Sequence, residues 1–367
     1  MVVSLDDGSI TLSSDISGVD RSVDISSKSG LSLSLPTSLL RGGSFVARNS
    51  VTIRSNTDIA VFVVILGSSG TGDGYMAIPA TSLSKKYFFS MNQNALLSIV
   101  SFSDETNINI VSNAGTNINL RSSGLSSSNT NITLARGQVL QIRHSSWVMG
   151  YVTSSKPFMF LHGSHGDSAY SRYRASFIDS VFYTDARFFI IPLLYNGTDT
   201  VTFCNRKRSL SVTSNLRVST SSNYVYIGSL KKVSYIRADF QTSCHYIGHG
   251  FSVSVSPVTS YSTYCRFLTP YGSNFTHHAA VTVKTAVDDG IKLQNIPNKN
   301  DITENHRETI TVDGVSYSAI YYTVEAGQYE VYHTSPNVTF GVISYGFGKG
   351  ANTAYGFPVC FKKSSSP

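Results

Sequence analysis

The chain is poor in charge, in tryptophan and in cysteine, and each shortage closes off a class of protein. Charged residues are 14% of the 367, too few to cover the solvated faces of a helical protein. A single Trp stands against 21 Tyr, so phenol rings are the main aromatic surface available for recognition. The four cysteines, Cys204, Cys244, Cys265 and Cys360, all fall in the second half. None forms a CxxC pair, which excludes a zinc ribbon and a thioredoxin-like motif. No apolar run is long enough to cross a bilayer as a helix. The opening Met1-Val-Val-Ser-Leu-Asp-Asp has neither the basic region nor the apolar stretch of a signal peptide, so a secreted form is expected to be a mature fragment. No window of twelve residues carries a helical period capped at both ends.

What is present is strand sequence. Hydrophobic residues reach 41%, and Ser, Thr, Asn and Tyr occupy the polar positions. Val51-Thr-Ile-Arg-Ser, Ile59-Ala-Val-Phe-Val-Val-Ile, Asn107-Ile-Asn-Ile, Asn117-Ile-Asn-Leu, Val139-Leu-Gln-Ile, Tyr224-Val-Tyr-Ile and Val281-Thr-Val alternate or run apolar over strand length, bounded by turn residues. The expected fold is all-β: tandem repeated antiparallel modules, sandwich-like, with a propeller-like closure as the alternative.

The pattern also repeats. Strand, polar tight turn, strand and glycine occur in order from Val51 to Gly67, from Gly150 to Gly163 and from Val331 to Gly346, and each reads as a hairpin. Gly137-Gln and Gly327-Gln open a second recurring unit, and an acidic or Gly turn before a strand opens a third at Asp104 and Gly197. Composition shifts near Ser164–Ser176 and Ser256–Tyr264 divide the chain into 1–43, a segment packing on the first module, and modules 44–165, 166–260 and 261–367.

A net charge of +7 is spread thinly, its densest runs being Arg206-Lys207-Arg208, Lys231-Lys232 and Lys362-Lys363. That scatter lacks the basic stripe of a nucleic-acid binder and suits acidic partners such as sialylated or sulfated glycans. His162-Gly-Ser-His165-Gly-Asp167 has metal-ligand residues, but positions i, i+3 and i+5 of a strand end share no face, and a solvated Gly turn is the simpler reading. His277-His278, and His245 with His249, are weaker candidates still, adjacent strand residues pointing to opposite faces. Gly67-Ser-Ser-Gly70-Thr-Gly72-Asp-Gly74 lacks the Lys-Ser/Thr ending and the helix of a phosphate loop, and reads as a hairpin loop. Asp6-Asp7-Gly and Asp288-Asp289-Gly read as turns without the further acidic ligands of a Ca²⁺ site. No nucleophile elbow is seen. No enzyme activity, metal or cofactor is expected.

Sequons begin at Asn131, Asn196, Asn274 and Asn337, and with an even number of cysteines they favour the secretory route. Of three disulfide connectivities, the sequential Cys204–Cys244 and Cys265–Cys360 is the working expectation. Tyr170, Arg172, Tyr173 and Arg174 form one candidate ligand-contact cluster, and Tyr261 with Tyr264 another. Tyr gives rigid amphipathic contact area, although packed strand tyrosines would account for the same residues.

The order of the units resembles the N-terminal domain family of IgGFc-binding protein, a mucus-associated secreted glycoprotein. The resemblance rests on the turn from Ser55 to Val63, Gly74-Tyr-Met-Ala-Ile-Pro79 with Leu83 and Tyr87, Ser103-Asp-Glu-Thr-Asn-Ile-Asn-Ile, the Gly137-Gln strand and Tyr151-Val-Thr-Ser-Ser-Lys-Pro-Phe. It continues through Phe188-Phe-Ile-Ile-Pro192, the Gly327-Gln strand and Tyr345-Gly-Phe-Gly, so that it spans about Ser44 to Pro358. The cysteine-rich von Willebrand-type D domains that accompany this module in vertebrates are missing here. The resemblance implies a secreted, non-enzymatic adhesion or binding module for an extracellular glycoprotein or glycan, and it carries no catalytic residues. A carbohydrate-active β-fold enzyme and a self-assembling fibre or capsid-like β protein are the alternatives; the first needs two carboxylates about 5–10 Å apart in a cleft, the second a stable high-order homo-oligomer.

Overall fold

The computed structural model describes residues 1–66, 72–91, 95–112, 129–144, 148–164, 252–271, 275–312, 314–348 and 354–359. Between 186 and 247 it describes the backbone of strands alone.

Alternating residues build strands throughout these segments. The first unit runs through β1 (Val2–Ser4), β2 (Gly8–Ser13), β3 (Arg21–Ile25), β4 (Phe45–Ala47), β5 (Thr52–Ser55), β6 (Ile59–Leu66) and β7 (Gly72–Ala77). The second holds β8 (Lys86–Met91), β9 (Ala95–Ser101), β10 (Thr106–Ser112), β11 (Asn129–Leu134), β12 (Val139–His144), β13 (Val148–Ser154) and β14 (Phe158–Ser164). The third holds β15 (Ala186–Ile190), β16 (Thr200–Asn205), β17 (Leu210–Thr213), β18 (Val218–Ser221), β19 (Tyr224–Ile227), β20 (Ser234–Ala238), β21 (Thr242–Ile247) and β22 (Ser252–Ser254). The fourth holds β23 (Tyr264–Leu268), β24 (Phe275–Lys284), β25 (Ile291–Asn295), β26 (His306–Val312), β27 (Val315–Val324), β28 (Gln328–His333), β29 (Gly341–Gly348) and β30 (Ala354–Pro358).

The fold is all-β and sandwich-like, as its sequence predicts. In the second unit, sheets β11-β10-β13-β8 and β14-β9-β12-β4 enclose a core that includes Tyr87, Phe89, Ile99, Leu140, Val152 and Phe160. In the fourth, sheets β23-β28-β25 and β26-β27-β24-β29-β30 enclose Cys265, Phe267, Val281, Leu293, Val331 and Phe357. Six strands correspond, β10-β13-β8 to β25-β28-β23 and β14-β9-β12 to β29-β24-β27, whereas β11 pairs β10 and β26 pairs β27. Register agrees as well. Val152 lies between Tyr87 and Ile110, and Val331 between Cys265 and Leu293. Local sequence repeats the entry, since Pro79 and Pro257 each precede one 3-10 turn leading into β8 or β23. The hydroxyls of Ser84 and Ser262 then accept the N–H of Lys86 and Tyr264, at 3.2 and 3.4 Å. The first unit is a shortened copy: β2 pairs β3 and β5 as β10 pairs β11 and β13, and β1 pairs β6 as β9 pairs β14. The third unit pairs its strands as β15-β20-β17 and β18-β19-β16-β21-β22.

The three expected hairpins are arches. β5 and β6, β13 and β14, and β28 and β29 follow one another across polar turns, but each pair divides between two sheets. The turn groups are satisfied elsewhere. Ser154 Oγ donates to Lys156 O at 2.7 Å, Ser155 N–H to Asn107 O at 3.0 Å and Phe158 N–H to Ser84 O at 3.1 Å. With their donors so used, the flanking strands need not pair with each other. A true hairpin joins β6 to β7, where Leu66 faces Gly72; most of its glycine-rich connection lies outside the described residues. The two Gly-Gln turns are also not equivalent. Gly137, at φ +77°, joins β11 to β12, whereas Gly327 joins β27 to β28, the opposite end of the strand matching β12.

The N-terminal 43 residues touch two units. Gln141 Nε2 donates to Arg41 O at 2.6 Å and Gly43 O at 3.0 Å. Val3 and Phe62 join the core of the fourth unit, where Phe62 lies 4.8 Å from Phe357.

Candidate binding surface

Two sheet faces present built polar arrays, and they occupy equivalent positions in the second and fourth units. On β10, Ile108 and Ile110 point into the core, which leaves Asn107 and Asn109 on the outer face; β11 does the same with Leu134 inward and Asn131 and Thr133 outward. Register sets Asn131, Asn109, Thr153 and Lys86 in one row across β11, β10, β13 and β8, with Val111 beside Tyr151 in the next. Cross-strand hydrogen bonds fix the side chains. Asn109 Nδ2 donates to Asn131 Oδ1 at 2.6 Å, and Thr133 Oγ1 to Asn107 Oδ1 at 2.8 Å. Lys86 Nζ lies 5.5 Å from the centre of the Tyr151 ring. Amides, hydroxyls, a phenol ring and a cation on one flat face offer hydrogen bonds and stacking, the contacts that a sugar or a polar protein surface takes. Neither a nucleophile beside a base nor an acid lies in this row.

The equivalent face of the fourth unit is turned inward. Arg266 takes the place of Phe88, and Glu330 that of Tyr151. The guanidinium donates Nη1 to Ser4 O at 2.8 Å and Ser27 O at 3.1 Å, and pairs with Glu330 through Nη2 at 3.3 Å. Arg266 Nε donates to Tyr264 Oη, which itself donates to Glu330 Oε2, both at 2.6 Å; Lys299 Nζ bonds the other carboxylate oxygen. Burial alone would raise the Glu330 carboxyl, but the bonds from Lys299 and Tyr264 and the Lys299 and Arg266 charges outweigh it and hold it below the usual carboxylate range. Burial, then the bond to Glu330, pushes the Tyr264 phenol up to about 12. This face is a clamp on the first unit.

Tyr261 is buried, and a Cβ on Gly341 would come within 2.4 Å of its ring, so glycine is required there by close packing. Its counterpart in the repeat is Leu83, another core residue. The sequence alternative of packed tyrosines therefore describes Tyr261, while Tyr264 serves the clamp. Tyr170, Arg172, Tyr173 and Arg174 lie outside the described residues, as do His165 and Asp167. His162 is buried on β14 with its ring 5.7 Å from that of Phe160. His277 and His278 face opposite ways: His277 is buried against Tyr355 Oη at 2.8 Å, and His278 stacks on Tyr345. Asp288 is buried and paired with Arg307 at 2.7 Å, and Arg307 also holds Glu304 at 2.6 Å and Asp289 at 3.6 Å. These groups line a cleft of about 170 Å³ together with Lys292 and Asp301, themselves an ion pair. Three of its carboxylates share Arg307 and the fourth is tied to Lys292, which makes the cleft a charge network rather than an acid-and-base pair.

Asn131 is exposed on β11 and Asn337 is exposed in the β28–β29 arch; Asn196 and Asn274 fall outside the described residues. The register sets Cys204 opposite Ser243 and Cys244 opposite Phe203, so these two cysteines are not partners in the ladder. Cys265 is buried and disulfide-bonded. Cys360 lies outside the described residues. The Arg266–Glu330 contact had no sequence signal beyond a lone Glu in the strand Gln-Tyr-Glu-Val-Tyr-His, because its partners lie 64 and 31 residues away.

Residues 73–183 match the family model described as IgGFc binding protein, in agreement with the resemblance carried by Gly74–Pro79, Ser103–Ile110 and Tyr151–Phe158. The matched segment contains all of β8 to β14 and hence the whole outward ladder. No curated protein matches the chain.

Proposed function

We propose that this chain is a secreted, non-enzymatic binding or adhesion module that recognises an extracellular glycoprotein or glycan through the outer face of sheet β11-β10-β13-β8. The observation that carries the reading is the coincidence of that polar ladder with the family-matched segment. A face kept only for solubility needs no cross-strand order. Here Asn107, Asn109, Asn131 and Thr133 are locked pairwise, so little side-chain entropy is lost on binding. The family's description names an antibody Fc region as ligand; an immunoglobulin is accordingly one glycoprotein to test among others. Exposed sequons at Asn131 and Asn337 and the bonded Cys265 support secretion. Asn131 is itself part of the ladder, so a glycan attached there and a ligand bound there would compete.

The test is a glycan-array and extracellular-glycoprotein screen of the wild type and of an Asn109→Ala/Tyr151→Ala double variant, at low and high salt. Saturable binding that the double variant weakens at least tenfold is expected, with part of the affinity lost in salt through Lys86. Equal binding by both proteins would remove this face from the account.

A further inference from the structure

The first unit carries a smaller version of the ladder. Leu12, paired with Arg21 on β3 and Ile53 on β5, stands where Ile110 stands between Thr130 on β11 and Val152 on β13. The inward residues agree, since Ile10 and Leu12 are buried as Ile108 and Ile110 are. The outward row is then Ser22, Thr11 and Arg54, in the places of Asn131, Asn109 and Thr153, and all three are exposed. The cross-strand contact recurs as well. Thr11 Oγ1 and Ser22 Oγ lie 3.2 Å apart, where Asn109 bonds Asn131 at 2.6 Å. In both rows a bonded polar pair leads to a cation, Lys86 at the end of one and Arg54 at the end of the other. Arg54 has neither an ion pair nor a hydrogen bond among the described residues, whereas Arg266 is consumed by the clamp. An exposed guanidinium beside two hydroxyls suits a carboxylate with hydroxyl neighbours, because its planar fork takes both carboxylate oxygens in parallel bonds. Asp24, two residues beyond Ser22 on β3 and exposed on the same face, repels that carboxylate and turns it towards Arg54.

We infer that the outer face of sheet β3-β2-β5 is a second binding site, and that its ligand is a carboxylate-bearing terminal sugar, the sialic acid of a glycan. The carboxylate pairs with Arg54, and Thr11, Ser22 and Asp24 bond the sugar hydroxyls. The inference rests on the ladder reading, which it deepens. A partner carrying several such glycans is held at two faces of one chain, and the pair binds more tightly than either face alone.

The probe is sialyllactose, with lactose as its neutral counterpart, and hydrogen exchange of the full chain locates it. Sialyllactose should slow exchange in Ser9–Leu12 and Arg21–Asp24, and lactose should not. Arg54→Gln should weaken this protection about tenfold, the loss of one charge-assisted contact, and Arg54→Lys should keep part of it. Because Arg54 has no partner to lose, both variants should retain the wild-type Tm. The same protection should persist in the Asn109→Ala/Tyr151→Ala variant, so the two faces are read separately. Slowing confined to the ladder strands would overturn this inference and leave the ladder in place; slowing confined to the first unit would support it and remove the ladder. Equal slowing by lactose, or protection unchanged in Arg54→Gln, would also overturn it.

Discussion

The second and fourth units share the order of six strands and the register of Val152 and Val331, yet they use the same face in opposite ways. Where the second unit exposes Asn109, Thr153 and Tyr151, the fourth places Lys292, Tyr332 and Glu330. The fourth unit's face grips the carbonyls of Ser4 and Ser27 through Arg266 and is spent on holding the chain together. In the second unit, Asn109 bonds Asn131 and Thr133 bonds Asn107 across the sheet. A duplicated scaffold can thus divide its labour by changing outward residues alone, because the inward ones, Val152 and Val331 among them, fix the sandwich independently.

Substitutions can break this comparison at several strengths. Phe160→Ala removes a fully buried ring packed on Tyr87 and Phe158, and should cost about 4 kcal/mol, read as a lower urea midpoint. Loss of ligand binding in that variant would report unfolding, and it serves as the control for surface changes. Glu330→Ala leaves Arg266 without its buried anion and should cost about 3 kcal/mol. In that variant, hydrogen exchange should quicken at Val2–Ser4 while β10 and β13 stay protected. If β10 quickened equally, the clamp would not be confined to the fourth unit.

Acid should act on the fourth unit through two groups of the same sign. Burial, then the neighbouring His278, lowers His277 from its ordinary 6.5 to about 4. A depressed histidine is neutral in the fold while the unfolded chain takes up a proton. Its contribution is therefore full above pH 6.5, falls between pH 6.5 and 4, and is gone below. The loss is about 3 kcal/mol at most. Glu330, held low in the fold, likewise stabilises above the ordinary carboxylate range and loses that contribution as the pH falls further. The slope of Tm between pH 7 and 4 should flatten in His277→Phe, and an unchanged slope would contradict the burial argument. Asn109→Ala sits at the small end: its loss on the exposed ladder should shift stability by less than about 0.5 kcal/mol while weakening binding.

Much of this is legible in the sequence. Alternation in Asn107-Ile-Asn-Ile gives a strand with an outward amide pair, and the recurrence of Ser-turn-apolar segments gives a repeated module. What the sequence did not distinguish was a hairpin from an arch. A three-residue polar turn such as 56–58 suits either, and the choice depends on which distant strand receives Ser155 N–H or Phe158 N–H. Tyr261 and Tyr264 looked alike in Tyr-Ser-Thr-Tyr, but strand alternation and the glycine at 341 bury one and half-expose the other. The clamp needed Arg266, Glu330 and Lys299 to be brought together across strands, which spacing alone does not reveal. The ladder carries no sequence mark beyond the alternation of its strands, because outward Asn and Thr read alike whether a sheet face is merely solvated or ordered by cross-strand bonds.

The most direct test of the central claim is a hydrogen-exchange footprint of the protein with and without the glycoprotein or glycan that a screen selects. Slowed exchange in Asn107–Val111, Thr130–Thr133 and Tyr151–Thr153, with Lys292–Gln294 unchanged, is the result the account predicts. Protection confined to the fourth unit, with the ladder strands unaffected, would contradict it.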